Sequence, residues 1–148
     1  MTAYPLDRTE VRDNFKHYLT IPTRWADNDQ YGHVNNAKYL TFFELVIMRY
    51  LEVDSALDFN EHGVKCYSVE NMCRYFDSVK FPDTLNAALR VGKLGNSSVR
   101  YEVGLFIEGQ DLISAAGYFT DVFVDSQTEK PIAIPDQIRS ALARLCME

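Results

Sequence analysis

Cysteine is scarce, and the three present, Cys66, Cys73 and Cys146, are odd in number and widely spaced. No CxxC pair or Cys/His cluster of metal-ligand spacing occurs, which argues against a disulfide framework or a structural zinc site. Reduced thiols in a cytoplasmic protein are the expectation. Long apolar runs are missing too: no stretch of roughly 18 apolar residues exists to cross a bilayer. Residues 1–16 mix Asp7, Arg8, Glu10, Arg12 and Asp13 with scattered apolar residues, which is not the pattern of a secretory signal. Basic charge is in deficit, with a formal net charge of -6. Nucleic acid as the main partner calls for a clustered basic face and is therefore disfavoured. Internal repeats, low-complexity tracts and linker-like segments are also missing.

What is present suits one globular domain over residues 1–148, of ordinary hydrophobic content (47%) and charge (24%). A chain of this length buries roughly 70% of its unfolded surface, so it needs no staple. The first ten or so residues read as a loosely ordered lead-in. From Phe15 to Trp25 the side chains alternate, with Phe15, His17, Leu19, Ile21, Thr23 and Trp25 on one side. That pattern predicts a half-buried strand, with Pro22 marking an edge or a bulge. A polar turn over 26–35 follows.

The period then changes. Leu40, Phe43, Ile47, Tyr50 and Leu51 recur at helical spacing, and Phe42 and Val46 widen the apolar stripe. The spacing predicts a largely buried helix, capped by Asn35 or Asn36 and ending near Val53. The rest reads as strands: Tyr67 to Tyr75, Leu85 to Val91, Val99 to Ile107 and Leu112 to Val124, the last buried on both faces. Gly95-Asn96 and Gly109-Gln110-Asp111 supply reversals. Pro135 opens a short helix carrying Ile138, Leu142 and Leu145. Strands joined by tight turns predict an antiparallel sheet, with the long helix packed on one face in an α+β fold.

The most unusual stretch runs from Arg24 to Asn36. Its acidic residues and His33 sit in a turn that leads into a helix start, where first-turn amides are unpaired and the dipole is positive. A carbonyl oxygen gaining negative charge is stabilised at such a place, while a nearby carboxylate attacks it or activates water. Asp27-Asn28-Asp29-Gln30-Tyr31-Gly32 also begins like a calcium loop, but the twelfth position is Lys38, where a bidentate Glu is required. Asp27, Asp29 and His33 form only a weak divalent-metal signal. A purely structural Asp/Asn-rich turn, with side chains bonded to local amides, is the ordinary alternative.

The strings Arg24-Trp25-Ala26-Asp27-Asn28-Asp29, Gly32-His33-Val34-Asn35-Asn36 and Tyr39-Leu40-Thr41-Phe42-Phe43-Glu44 resemble a family signature. It is that of the 4-hydroxybenzoyl-CoA thioesterase family and its long-chain acyl-CoA thioesterase relatives. The resemblance extends through Phe81-Pro82-Asp83-Thr84-Leu85 and Gly95-Asn96-Ser97-Ser98-Val99, covering about residues 18–124. It implies a hotdog fold, in which a five-stranded antiparallel sheet wraps one long central helix, with a short C-terminal helix here. It also implies hydrolysis of an acyl thioester, with Asp29 as nucleophile or general base and the Asn36 backbone amide polarising the carbonyl. His33 and Asn35 take supporting roles, orienting Asp29 or a water, against plain turn hydrogen bonding. Glu44, about two turns into the helix, is a reserve base, or else a buried acid bonded to a turn or partner subunit.

Gly32, Tyr39, Lys93, Ser97 and Ser98 are the candidates for substrate and CoA binding, with Ser97, Ser98 and the loop amides able to meet a pyrophosphate. In the aromatic-acyl member the reversal before the fourth strand is strongly basic, whereas the stretch from Val91 to Ser98 here carries only Lys93. An acyl-carrier-protein thioester therefore stands beside acyl-CoA as a substrate. A hotdog enoyl hydratase is a further reading, although no Asp-x-Asn-Pro-x-His string is present. A non-catalytic acyl-CoA-binding module is another. The family implies a homodimer or homotetramer with a pocket between subunits, and no metal or redox cofactor.

Overall fold

The computed structural model describes residues 4–147, so the outermost positions of the expected domain, 1–3 and 148, lie outside the described residues. Five strands form one antiparallel sheet: β1 His17–Pro22, β2 Val64–Tyr75, β3 Thr84–Leu94, β4 Ser98–Ile107 and β5 Ile113–Asp125. Their spatial order is β1-β3-β4-β5-β2. Helix α1, Asn36–Met48, continues as a wider π-helical segment through Arg49–Asp54, and α2 covers Asp136–Ala143. This is the hotdog arrangement.

The alternation that predicts the strands also decides what they bury. Leu85, Ala87, Leu89 and Val91 of β3 join Val99, Tyr101, Val103 and Leu105 of β4 in the core, all essentially without exposure. Phe42, Phe43, Val46 and Ile47 of α1 belong to the same core. Each such side chain contributes roughly 1.5–3 kcal/mol by leaving water. Gly117 in β5 permits the close fit: a Cβ there would stand 2.7 Å from the Phe43 ring and collide with the Met72 carbonyl. β5 is buried on both faces, as its irregular pattern predicts.

The other face of the sheet holds the main departure from expectation. Among the described residues the N-terminal segment is no loose lead-in, because Leu6 and Phe15 are buried against Ala88, Phe106, Ile113 and Ala116. Small alanines on that face leave an apolar trough that the segment fills. Glu10 and Arg90, both fully buried, bond at 2.6 and 3.0 Å, and Arg90 also donates to Glu102 at 2.8 Å. Charges that sequence patterning assigns to solvent are here paired inside.

Two strands differ from the reading above. β1 stops at Pro22, and Trp25 stands 76% exposed in a single helical turn, Trp25–Asp27, instead of continuing the buried side. The cause is Asp27, whose carboxylate folds back onto Arg24 and breaks the extended run. β2 lies at the sheet edge opposite β1, so Tyr67, Val69 and Tyr75 are largely exposed rather than half-buried. The chain thus crosses the sheet with α1, forms β2 at the far edge, and returns to β3 through residues 76–83. That return segment passes beneath the start of α1 and positions the site.

Candidate active site

The turn before α1 is built by its own polar side chains. Asp27 is buried and accepts from the Arg24 amide at 2.8 Å and its guanidinium at 3.0 Å. Burial alone raises the Asp27 carboxyl, but these Arg24 bonds outweigh it and hold the group below the usual carboxylate range. Asp29 Oδ1 accepts from the Tyr31 amide at 2.8 Å and the His33 amide at 3.4 Å. The Asp29 backbone closes the loop, its N–H donating to the His33 carbonyl at 2.8 Å and its carbonyl accepting from Gly32 at 3.1 Å. Gly32 has φ +78°, a left-handed conformation that glycine adopts without strain. Among the described residues, Asp29 Oδ2 is left without a protein donor.

The helix start is prepared in the same way. Asn35 is the cap: its side-chain oxygen accepts from Ala37 at 2.9 Å and its carbonyl from Lys38 at 2.9 Å. Asn36 is the first helical residue, so its N–H has no intrahelical acceptor and stays available. The return segment pins this junction from below. Val34 donates to the Val79 carbonyl at 2.7 Å, and Phe81 donates to Asn28 Oδ1 at 3.0 Å.

A cleft of about 250 Å³ opens beside the junction, lined by His33, Asn36, Tyr39 and Tyr75, with Phe76, Asp77 and Ser78 from the return segment. Tyr39 is buried and meets Tyr75 edge to face at 4.9 Å. Burial raises the Tyr39 hydroxyl, with Cys73 and Asp29 adding to it against a bond to Val79. Although the Tyr75 side chain is partly exposed, desolvation of its hydroxyl, with Cys73 and Tyr39 adding to it, pushes Tyr75 up to about 12. That hydroxyl donates a hydrogen bond to the Asn36 carbonyl at 3.1 Å.

Asp29, Gly32, His33, Asn35, Asn36 and Tyr39 are therefore gathered at one junction. His33 reaches Asp29 through its backbone, and the Asn35 side-chain oxygen is taken by its capping bond. Asp29 does not itself line this cleft; its neighbour in the turn, His33, does. Glu44 is not here: within one chain it is exposed and lines a separate cavity further along α1. Lys93, Ser97 and Ser98 sit where β3 turns into β4, at the opposite end of the sheet from Thr84, which follows the junction. Asp27, Asp29 and His33 do not converge, and no cluster of three potential metal ligands occurs among the described residues. Patterning missed Tyr75, because only the strand order brings the end of β2 against the start of α1.

Comparison with known proteins supplies the family. The profile of the thioesterase-like superfamily matches residues 23–142. The long-chain acyl-CoA thioesterase FadM of Escherichia coli is 27% identical over 84% of this chain and 96% of its own. The crystal structure of the PA5185 protein of Pseudomonas aeruginosa superposes with TM-score 0.88 at 45% identity, covering 93% of this chain and 96% of that one. A thioesterase from Thermus thermophilus complexed with coenzyme A and zinc superposes at 0.75 with 27% identity, over 88% of this chain and 94% of that one. With the fold, the turn-to-helix junction and a match that spans most of the chain, this protein belongs to the thioesterase-like superfamily.

Proposed function

We propose that the chain is an acyl-CoA thioesterase, converting an acyl-CoA and water to a free carboxylate and CoA with Asp29 and the Asn36 amide at the reacting bond. One observation carries the assignment: a carboxylate oxygen without a protein donor and an unpaired helix amide occupy the same junction beside a cleft. The amide meets the thioester oxygen as it gains charge, and its fixed position costs no reorganisation. Asp29 acts on the carbonyl carbon, directly as nucleophile or by taking a proton from water. The CoA-bound relative and the FadM match support CoA as the thiol.

The site is completed by a second copy. β2 is a long exposed edge, the kind of edge that pairs with another strand. Antiparallel pairing of β2 with its twofold copy brings the partner's β3–β4 reversal to the same end of the joined sheet as Asp29. That gives Lys93, Ser97 and Ser98 a route to the CoA of the neighbouring site, which they lack within one chain. The catalytic unit is thus a homodimer, or a tetramer built from it, of the domain over 1–148. Among the described residues no helix is long and apolar enough to cross a membrane, and a cytoplasmic location fits the reduced thiols.

The test is thiol release from a panel of aliphatic and aromatic acyl-CoAs, run beside enoyl-CoA hydration and beside the matching pantetheine thioesters. Cleavage without hydration, faster for CoA than for pantetheine, is the expected result. Binding without cleavage of any member rejects the hydrolase and leaves an acyl-binding module.

A further inference from the structure

The core under α1 contains a polar centre that hydrolysis does not use. A cavity of about 170 Å³ lies between α1, β2 and β5, with apolar walls from Ile47, Met48, Phe59 and Phe119. Asp121 and Cys66 enter it from the sheet. Asp121 is only 9% exposed, its Oδ1 has no hydrogen-bond partner among the described residues, and its Oδ2 accepts from the Cys66 thiol at 3.7 Å. Tyr101 stands on the same face of the neighbouring strand, fully buried, and its hydroxyl is also without a partner. No lysine or arginine lines the cavity, and the second carboxylate, Glu44, stands at its exposed rim.

Such a centre is costly for an empty protein. A buried carboxylate with an idle oxygen loses its hydration and gains nothing in return. Burial accordingly raises the Asp121 carboxyl, and bonds from Cys66 and Ser68 only partly oppose it. Apolar and aromatic walls around a floor whose carboxylate holds an idle acceptor oxygen make a place for a carbon chain that ends in a hydrogen-bond donor.

The cavity lies along the same seam as the junction. At one end β2 meets α1 through Tyr75 and Asn36, and at the other Cys66 and Ser68 face Glu44 and Met48. From Asn36 to Glu44 and Met48 the helix rises about 12–18 Å, the reach of a medium-length acyl chain lying along it.

We propose that this cavity receives the far end of the acyl chain and that Asp121 selects acyl groups ending in a hydrogen-bond donor, a hydroxyl or an ammonium. The proposal rests on the thioesterase reading for its chain-bearing substrate. Either donor gives Asp121 Oδ1 the partner it lacks, in a cavity also lined by Phe59 and Phe119.

The experiment compares kcat/KM for acyl-CoAs of matched length, hexanoyl to dodecanoyl, with a methyl, ω-hydroxyl or ω-ammonium end. At the best length the wild type is expected to prefer a donor-ended chain over the methyl-ended one by about tenfold or more, the worth of one charge-assisted hydrogen bond. The hydroxyl-to-ammonium ratio then assigns the donor. Asp121→Leu is expected to reverse the preference and Asp121→Asn to reduce it. Neither variant is expected to lower Tm, since each removes a buried charge. Methyl-ended chains cleaved as well as donor-ended ones by the wild type, or a preference surviving in both variants, overturns the proposal. Non-cleavable thioether analogues of the same three ends, titrated by calorimetry, read the ratio without turnover. If no thioester is cleaved, the hydrolase reading fails while the affinity ratio still decides for or against Asp121.

Discussion

The Tyr75 hydroxyl, at the last residue of β2, donates to the carbonyl of Asn36, the first residue of α1, at 3.1 Å. One bond thus ties the edge strand to the helix start that lines the cleft. Tyr75→Phe keeps the ring against Tyr39 and removes the hydroxyl that makes this bond and meets the Cys73 thiol. A stability loss of about 1 kcal/mol is expected. A fall in kcat of several-fold should accompany it with KM little changed, because the interaction lost positions the helix start rather than holding substrate. Denaturant melts and steady-state kinetics on the same preparation check both.

Arg90 is enclosed by Glu10 and Glu102 and stacks on Phe15 at 4.6 Å. Arg90→Met leaves Glu10 buried without its cation and Glu102 held by Arg100 alone, and a loss of about 3–5 kcal/mol is expected. The urea midpoint should fall with an unchanged slope, showing lost stability rather than a changed unfolded state. Activity per folded molecule should survive, because the network is on the sheet face away from α1.

Stability should depend on pH with two opposite signs. Glu10, where bonds to Arg90, Asn14 and Leu6 outweigh burial, and Asp27, held by Arg24, are both kept below their ordinary values. Their stabilisation is complete above the unfolded carboxylate range near pH 4 and is lost as pH falls through the lower folded values. Asp121, raised by burial, acts in reverse: the fold favours its protonated form, and that contribution fades as pH rises through its folded value. Asp121→Asn should therefore be more stable than wild type at neutral pH, with the advantage shrinking on acidification. Asp27→Asn should flatten the acid limb. Thermal melts from pH 3 to 8 read both slopes.

Val69 is 62% exposed in the middle of the unpaired β2 edge. Val69→Glu places a charge at the bulge of that edge, which opposes pairing with a second strand. For the proposed homodimer, sedimentation should shift from dimer toward monomer, with activity falling alongside. An unchanged mass excludes β2 as the joining edge.

Much of this was legible in the residues because local rules and tertiary fold agree. Helical spacing from Leu40 to Leu51, strict alternation from Val99 to Ile107 and the cap at Asn35 each report their own environment. The turn around Asp29 is local too, closed by bonds within five residues. What escaped were pairings between distant segments. Nothing near Glu10 announces Arg90, eighty residues later, so its charge reads as solvated. Nothing near Tyr75 announces Asn36, because alternation gives a strand its faces but not its neighbours. Trp25 was misplaced for the opposite reason, since the alternation around it continued smoothly while one carboxylate, Asp27, turned the backbone.

The role of Asp29 is tested most directly by kcat for Asp29→Asn on the best acyl-CoA of the panel, with the fold verified by an unchanged melting curve. The substitution keeps the shape and the turn acceptor for Tyr31 and His33 while removing the charge. A loss of about 100-fold to 10,000-fold is predicted, the range expected when a positioned acid–base group is removed. Near wild-type kcat in a properly folded Asp29→Asn protein would contradict the assignment and move the search for the carboxylate along α1 to Glu44.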